Sequence, residues 1–370
     1  MSTEYRLDVY NAAGTMLARL VGSAYRDTTE GGFLELSSVK RVNEPGLVAF
    51  TLDGDSPLVT TMDHKSRVEV WRRDVDRGIA WYMENSGLFL DQERRYTDHA
   101  LFRAVCYGPL WLLSTRHILY YANTADRSKF TTEKAETIMK TLVDYNAGAN
   151  ATVGNGRMRT PNTIAVTVAA DTAAGNTLDW YCAWDNLLRS LQALVAAGAG
   201  GDFDLVRSGA NWEFRWYTGQ LGTDRSATVT FALDLGNMRD PVYRRTRSTE
   251  VTVALVGGQG EESARATRTV TGTDYGASND IEVFVNATNA SSDAGYDAEG
   301  ARWLKERQAE HELAFDVVQD GPYLYGRDYF LGDLVTATYD AISVTRKVTG
   351  AQIDYNKDGT ESVKIDVGAV

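Results

Sequence analysis

The sequence predicts an α+β protein that is dominated by β-structure. Apolar and polar residues alternate at both ends of the chain, a period of two that is typical of strands with one buried face. The middle of the chain changes to a helical period, and Gly, Asn and Asp separate the strand-like segments. With 370 residues, the chain is long enough for two or more packing units.

The first predicted element is a β-hairpin. In YRLDVY the residues Tyr5, Leu7 and Val9 lie on one face, NAAG supplies a turn, and TMLARLVG resumes the alternation. Alternating segments then follow as LELSSVKRV, GLVAFTL, SRVEVWRR and GIAWYMENSGLFL. Together they predict a β-rich unit, either a barrel or a sandwich.

Two amphipathic helices are predicted in the middle of the chain, near 131–146 and 183–197. The first has Thr131 or Thr132 as its N-cap. The second places Trp184 on its apolar stripe, which predicts that this tryptophan is part of the core. The remaining stripe residues are Ala135, Ile138, Met139, Leu142, Val143, Leu187, Leu188, Leu191, Leu194 and Val195.

The second half of the chain returns to strands. DFDLVRSG and NWEFRWYTG predict a hairpin in which Trp212, Phe214 and Trp216 share a face, and that face forms either core or a protein contact, with core the expectation. DAEGARWLKERQAEHEL predicts a third helix with charges of both signs on an exposed face. AISVTRKVTGAQIDY and ESVKIDVG predict a last hairpin around an Asp-Gly turn.

Charge argues against a nucleic-acid-binding protein. Fifty acidic and 38 basic residues give a net charge of −12, and such a field repels nucleic acid and anionic lipid. Cys106 and Cys182 lie far apart without CxxC spacing, so the sequence indicates neither a disulfide scaffold nor a zinc site. Because the amino terminus lacks a basic region followed by an apolar one, and nowhere do about 18 apolar residues run together, neither a signal peptide nor a membrane span is expected.

One stretch, VALVGGQGEESAR (253–265), looks like a nucleotide-binding loop, because an apolar strand leads into Gly257, Gly258 and Gly260. A dinucleotide fingerprint needs GxGxxG at the start of a helix, whereas here serine takes the third glycine position and two glutamates lie where the anion would bind. The following ARATRTVTG predicts a strand. The stretch is therefore interpreted as a connection between strands.

No catalytic or metal-binding pattern is found. His64, His99, His117 and His311 are scattered without the spacing of a shared metal site. The acidic pairs Asp202/Asp204 and Asp328/Asp333 could in principle serve a glycosidase, but such pairs are common in a chain with fifty carboxylates. The sequence therefore assigns no catalytic, cofactor-binding or metal-binding residue.

The carboxy-terminal run YGRDYFLGDLVTATYDAISVTRKVTGAQIDYNKDGTESVKIDVG resembles the end of siphophage tail hub proteins, the baseplate-hub or Tal-like family. The glycine stretch, the segment VTFALDLGNMRDPVYRRT and the predicted helices also follow in the order expected of that family. The residues that carry the carboxy-terminal likeness are Tyr329, Leu331, Gly332, Asp333, Val335, Arg346, Val348, Thr349, Asp358, Gly359, Glu361, Val367 and Gly368.

The resemblance implies the fold of contractile-tail hubs and type VI secretion spike proteins, with two small tube-type β-barrel domains and inserted mixed α/β domains. It places the first barrel at 1–108 and a mixed domain at 109–240. The second barrel then comprises 241–260 and 313–370, with an inserted strand-helix segment at 261–312.

The resemblance also implies a structural virion protein, not an enzyme, at the tip of a phage tail. Its expected partners are itself as a homotrimer, a distal tail protein or tail tube ring, the tape measure protein, and tip or fibre proteins. It would be synthesised and assembled in the host cytoplasm, with viral DNA only in transit and no stable membrane insertion. An acidic lumen would let DNA pass without binding to the channel wall.

Two alternatives stay open at this point. One is a carbohydrate-active hydrolase that uses an acidic pair and tryptophans, and the other is a surface-glycan-binding module that uses Trp212 and Trp216. The sequence ends after the last hairpin at Val370, so a host-wall hydrolase or receptor-binding role is expected to belong to other tail proteins.

Overall fold

The computed structural model describes residues 3–22, 32–119, 128–158, 164, 166–209, 211–288, 290, 292–319 and 321–370. The part of the chain up to residue 107 forms the first β unit. Its elements are β1 (Thr3–Tyr10), β2 (Met16–Gly22), β3 (Gly32–Phe33), β4 (Glu35–Arg41), β5 (Glu44–Asp53), α1 (Leu58–Thr61), β6 (Arg67–Asp74), β7 (Ile79–Tyr96) and β8 (Ala100–Tyr107).

The predicted amino-terminal hairpin is confirmed. Strands β1 and β2 are antiparallel, with Leu7 opposite Leu20. Tyr5, Leu7 and Val9 are all buried, as the alternation predicts, because successive strand residues point to opposite faces of a sheet.

A mixed unit follows the first β unit and contains both predicted central helices. Its elements are α2 (Trp111–Ser114), β9 (Ser128–Lys134), α3 (Ala135–Asn146), a 3₁₀ turn (Val153–Asn155), β10 (Val166–Val168), β11 (Thr177–Cys182), α4 (Leu187–Ala196), β12 (Gly201–Ser208) and β13 (Asn211–Thr218). Strands β12 and β13 form the predicted hairpin, with Ser208 opposite Asn211.

Both helix starts differ from the prediction. Thr131 and Thr132 lie in β9, which pairs with β11, so the predicted threonine N-cap is wrong and Lys134 occupies that position. Tertiary strand pairing outweighed the local capping signal here. Trp184 precedes α4 with a left-handed φ of 66° and is 61% exposed, so its predicted place in the core is also wrong.

The rest of the chain supplies a second β unit and a smaller inserted unit. Its elements are β14 (Thr230–Ala232), β15 (Met238–Thr246), β16 (Val253–Gly257), a 3₁₀ turn (Glu262–Ala264), β17 (Thr267–Thr271), β18 (Glu282–Asn286), α5 (Asp293–Glu306), β19 (Glu310–Val317), β20 (Leu334–Tyr339), β21 (Ile342–Tyr355) and β22 (Glu361–Gly368). The predicted third helix and last hairpin are therefore confirmed.

Among the described residues, strands of both β units form one twelve-stranded sheet, in the order β14-β20-β21-β4-β5-β8-β7-β6-β1-β2-β3 with β22 paired to β21. The units join where β4 lies antiparallel to β21, with Leu36 opposite Tyr355. This arrangement confirms a β-dominated α+β fold. The described pairings do not close a barrel, and the two barrels stay a prediction.

Three apolar cores hold these layers together. The main core takes residues from both β units, for example Phe50 and Ile353. The second core lies in the mixed unit, where α3 and α4 bury their stripes against β12 and β13. The third core is small and forms where α5 packs on the three-stranded sheet β17-β16-β18.

Candidate assembly surface

The glycine stretch forms the predicted connection between strands. Strand β16 ends at Gly257, a loop and a 3₁₀ turn follow, and β17 returns antiparallel to β16. A Cβ atom at Gly258 would lie 2.2 Å from the Tyr296 ring, so the loop needs glycine there to let α5 approach the sheet. Gly260 has a φ of +99°, a left-handed conformation that favours glycine.

Among the described side chains, which do not include that of His311, the histidines and cysteines form no common site. Within the described part of the chain, no group of three or more His, Cys, Asp or Glu side chains is placed to hold a metal ion. Cys106 lies in the main core and Cys182 in the core of the mixed unit, both as free thiols. Burial raises the pKa of the Cys182 thiol to about 11, which keeps it protonated and unreactive at neutral pH.

The acidic pairs position loops. Asp202 accepts hydrogen bonds from the Asn43 side chain and the Leu221 amide, both at 2.8 Å, and forms an ion pair with Lys347. Asp333 accepts hydrogen bonds from the Thr223 amide at 2.6 Å and from Arg225 Nε at 2.7 Å.

The other member of each pair is bound separately. Asp328 Oδ2 accepts a hydrogen bond from the Leu324 amide at 2.8 Å. Asp204 Oδ1 accepts a bond from the Leu205 amide at 2.8 Å, and burial raises the pKa of Asp204 to about 6. The carboxylates of Asp202, Asp328 and Asp333 are therefore held by contacts within the fold, whereas Asp204 accepts only the bond from its neighbour.

The tryptophan row on β13 is core, as expected. Trp212 is 5% exposed and Phe214 is fully buried, and Trp216 packs against the same cluster. Trp212 and Phe214 are therefore too buried to offer a flat ring face to a sugar, and Trp216 is partly buried.

A buried ionic network joins the two β units. Arg72 of β6 is 1% exposed, and its Nε and Nη2 atoms donate to the two oxygens of Glu361 in β22 at 2.6 and 2.9 Å. Its Nη1 atom donates to the Tyr325 carbonyl at 3.1 Å. The Tyr5 hydroxyl donates to the same glutamate. A bidentate pair with added hydrogen bonds is the geometry that offsets the desolvation of two charges.

The network continues to Glu84. The Tyr325 hydroxyl donates to Glu84 Oε1 at 3.1 Å, and burial together with the Glu84 charge raises the pKa of Tyr325 well above its ordinary value. Burial and Glu361 raise the pKa of Tyr5 in the same way. Both tyrosines therefore remain neutral donors, and the network is a structural joint.

The opposite face of the same strands is a second polar surface, here named the outer sheet face. Across β1 and β6, Glu4 pairs with Arg73, Arg6 with Trp71, and Tyr10 with Arg67. The residues of the outer sheet face are Glu4, Arg6, Asp8, Tyr10, Arg19, Arg67, Glu69, Trp71, Arg73, Trp81 and Met83.

Arginines and aromatic rings stack on this face. The Cζ atom of Arg6 lies 4.8 Å from the Trp71 ring centroid and 5.2 Å from the Trp81 centroid, and Arg73 Cζ lies 4.9 Å from Trp81. Arg67 Cζ lies 4.2 Å above Tyr10. Cation–π contacts of this kind hold guanidinium groups in fixed positions.

The carboxylates of the outer sheet face are paired with these arginines. Arg73 Nη2 lies 2.6 Å from Glu4 Oε2, and Arg19 Nε lies 2.7 Å from Asp8 Oδ1. Arg67 Nη1 lies 3.1 Å from Glu69 Oε1. The acceptors on the face are thus already used by its own donors.

Three N–H donors of the outer sheet face are left over. Arg6 Nε, Trp71 Nε1 and Arg73 Nε are buried and have no hydrogen-bond partner within the described part of the chain. A buried donor without an acceptor costs about 1–3 kcal/mol, so native structures rarely leave one unpaired. These buried atoms cannot be reached by a partner, whereas the side chains of Arg6, Arg73 and Met83 are 22%, 35% and 45% accessible, which makes the face a candidate contact surface.

The outer sheet face ends at the mixed unit. A cavity of about 190 Å³ at this border is lined by Glu69 and Met83 from the face and by Arg207 and Trp212 from the β12–β13 hairpin. The cavity therefore lies directly beside the outer sheet face.

A further exposed feature is the outer half of β7. Strand β6 pairs with β7 only as far as Leu88, whereas β8 pairs as far as Tyr96. Within the described residues, the other edge of β7 has no partner strand over 91–96, and residues 91–99 are all exposed. An open strand edge of this kind can pair with another chain.

Comparison with known proteins places this geometry in a family. The family model described as Siphovirus ReqiPepy6 Gp37-like protein matches residues 29–369. The chain belongs to the Siphovirus ReqiPepy6 Gp37-like family. No curated protein matches this Gp37-like sequence.

Solved structures share the fold of this Gp37-like protein at low identity. The prophage MuSo2 43 kDa tail protein from Shewanella oneidensis is 12% identical with a TM-score of 0.57, and the match covers 99% of this chain and 98% of that one. The tail protein from Neisseria meningitidis MC58 is 10% identical with a TM-score of 0.54, covering 98% and 96%.

A chain of the Francisella PdpA-VgrG complex is 8% identical with a TM-score of 0.56, covering 99% of this chain and 53% of that one. The chain therefore shares a fold with prophage tail proteins and with a chain of a VgrG complex, the kind of fold that the sequence resemblance implies.

No helix among the described residues is long and apolar enough to cross a membrane.

Sequence reasoning did not find the outer sheet face. The alternation identified the buried side of β1 and β6, and it led to no prediction for the charged residues between. One signal was available: the outward positions of YRLDVY and SRVEVWRR combine Arg with Tyr or Trp, and IAWYM adds Trp81 and Met83. These residue types are enriched at protein interfaces, whereas Lys, common on free surfaces, is absent from those segments.

Proposed function

We propose that this protein is the hub at the distal end of a phage tail, where it joins the six-fold tail tube to the three-fold tip. The observation that carries the proposal is the family match over residues 29–369 together with a tail-protein fold over nearly the whole chain. A structural role of this kind needs surfaces for other chains more than it needs a reactive centre.

In the proposed hub, three copies form a ring, and each copy contributes two tube-type β-barrel domains. The domains are those expected from the sequence, with the first barrel at 1–108, the mixed domain at 109–240, the second barrel at 241–260 and 313–370, and the inserted segment at 261–312. Six barrels would then present a six-fold surface to the tube and a three-fold surface to the tip. The open edge of β7 supports this proposal, because ring neighbours can pair at such edges.

The proposed partners are other copies of the chain, a distal tail protein or tube ring, the tape measure protein, and tip or fibre proteins. The protein would act in the virion, without an enzymatic role. The buried position of Trp212 and the satisfied carboxylates of Asp202 and Asp333 argue against the hydrolase and glycan-binding alternatives that rest on them.

The direct test is the absolute mass of the purified native protein combined with electron microscopy of tails that contain it. We expect a ring of three copies at the end of the tail furthest from the capsid. A protein that remains a single chain both in solution and on the tail, or that lies elsewhere in the particle, would contradict the hub.

The proposed ring also forms part of the DNA ejection channel. The net charge of −12 supports an acidic lumen, because carboxylates do not form the Lys or Arg contacts with phosphate that release counterions and retain DNA. We expect that replacing carboxylates on the lumen of the imaged ring with lysine slows DNA ejection from particles that still assemble. Unchanged ejection kinetics would count against a lumen of this chain.

A further inference from the structure

We infer that the outer sheet face and the cavity beside it receive an acidic surface of a second copy of this chain. This inference rests on the proposed trimeric hub and names a contact between its copies. Three properties of the described residues support it: the kinds of side chain present, their fixed positions, and the donors that lack acceptors.

The side chains are those of an interface centre. Trp71, Trp81, Met83 and the arginines belong to the types that are enriched where protein interfaces are most buried and that contribute most to affinity. Met83 is 45% exposed, so the fold itself does not cover it. The adjoining cavity of about 190 Å³ offers space for a side chain of a partner next to Met83.

The arginines are already in place before any partner arrives. Arg6 lies against both Trp71 and Trp81, and Arg73 lies against Trp81 while pairing with Glu4. Side chains that are ordered in advance lose little conformational entropy on binding. A surface that had only to remain in solvent would gain little from this order.

The unmatched donors indicate what the partner brings. The side chains of Arg6 and Arg73 are 22% and 35% accessible, and each guanidinium has five N–H donors, whereas their ion pairs with Asp8 and Glu4 are made through Nη2. Carboxylate and carbonyl oxygens of a partner would complete the hydrogen bonding. An acidic segment of protein fits this requirement.

A second copy of the chain supplies such a segment. The outer sheet face carries four arginines and three carboxylates, a net charge of +1, so the remainder of the chain accounts for −13 of the total of −12. A ring of three copies is closed by contacts between two different patches of each chain. The outer sheet face would therefore meet a different patch on its neighbour, and charge complementarity favours an acidic one.

The same chemistry makes the face unsuitable as a channel wall. Arginine side chains next to tryptophan rings bind phosphates and stack on bases, so they would retain passing DNA. The outer sheet face is therefore expected at a contact between copies, away from the lumen.

Photo-crosslinking tests the identity of the partner. Met83→p-benzoylphenylalanine places a reactive group on the exposed part of the face, and the full chain is irradiated in solution and in assembled tails. We expect a product that consists of two copies of this chain. A product with another tail protein or with DNA, or no product, would overturn the inference.

The mass of the native protein distinguishes failure of the proposed contact from failure of the proposed hub. A trimer that gives no crosslink between copies would overturn the contact and leave the hub intact. A protein that stays a single chain on tails and in solution would contradict both the contact and the hub.

Charge-removing variants test the energetics of the contact. We expect the double replacement Arg6→Gln and Arg73→Gln to weaken association of the trimer by about tenfold or more, as loss of a central interface anchor does. The matched control is Arg302→Gln on α5, because Arg302 also lies over a tryptophan, 5.9 Å from the Trp303 centroid, and pairs with Glu306. Equal effects of the two replacements on trimer association would overturn the inference.

Discussion

The two faces of strands β1 and β6 use the same residue types for different purposes. On the inner face, Arg72 is 1% exposed and its donors reach Glu361, the Tyr325 carbonyl and the Tyr82 hydroxyl. On the outer face, Arg6 and Arg73 are partly exposed, stack on tryptophan rings, and keep Nε atoms without acceptors.

This difference separates a structural arginine from one that is available to a partner. The inner arginine has an acceptor for each of its nitrogen atoms, so an additional ligand would gain nothing there. The outer arginines satisfy the carboxylates beside them and still have donors left. The number of acceptors around each arginine, more than the number of charges, distinguishes the inner arginine from the outer ones.

Replacing the inner arginine is expected to have the largest effect. Arg72→Met leaves the buried Glu361 carboxylate with only the Tyr5 hydroxyl and Arg77, whose Nη1 lies 3.8 Å from Glu361 Oε2. Breaking one side of a buried ion pair destabilises a protein by about 3–5 kcal/mol. Urea unfolding, followed by intrinsic tryptophan fluorescence, would show the decrease in the free energy of unfolding.

The double variant Arg72→Met with Glu361→Leu provides the control. Because it removes both charges, it should be more stable than Arg72→Met alone. A double variant that is less stable than both single variants would mean that the pair contributes through something other than compensation of buried charge.

Much of this inner architecture could be read from the sequence, because it depends on local alternation. The order of Tyr5, Leu7 and Val9 predicts which side of β1 is buried, and the Asp-Gly turn at 358–359 predicts the hairpin of β21 and β22. The long-range joint could not be predicted. Arg72 and Glu361 are 289 residues apart, and no local pattern shows that β4 would pair with β21.

Two local predictions were wrong for the same physical reason. Thr131 and Thr132 are good capping residues, but pairing between β9 and β11 draws them into a strand. Trp184 fits the apolar stripe of a helix, but its amide donates to the Ile118 carbonyl at 2.6 Å, and α4 begins only at Leu187. In both cases contacts made elsewhere set the helix start, and only the structure reveals them.

Asp204 lines the cavity between the outer sheet face and the mixed unit, so it lies between the buried network and the exposed face. Burial raises the pKa of Asp204 to about 6, while Lys40 partly opposes the shift. The folded protein therefore holds a proton that the unfolded chain releases at lower pH. The stability contributed by that proton is present at about pH 4 and is lost as the pH rises to about 6, where the buried charge remains as a penalty.

We expect Asp204→Asn to remove this penalty. At pH 7 to 8 the variant should be more stable than the parent by about 1–3 kcal/mol, and the difference should disappear near pH 4. Asparagine retains the oxygen that accepts the Leu205 amide bond, so that contact is kept. Unfolding midpoints of both proteins from pH 4 to 8 measure the effect. A constant difference across this range would show that the carboxyl titrates normally.

Replacing an outer arginine is expected to have the smallest effect on the stability of a single chain. The pair of Arg73 and Glu4 is partly exposed, with 35% and 26% of the side chains accessible, and solvent screens such pairs to about 0.2–1 kcal/mol. A double-mutant cycle with Glu4→Ala and Arg73→Ala, measured by urea unfolding at low protein concentration, gives the coupling between them. A coupling close to that of the Arg72 pair would mean that the two faces are equally structural. A small coupling combined with weakened trimer association would separate them, because the outer arginine would then act mainly through the neighbouring copy.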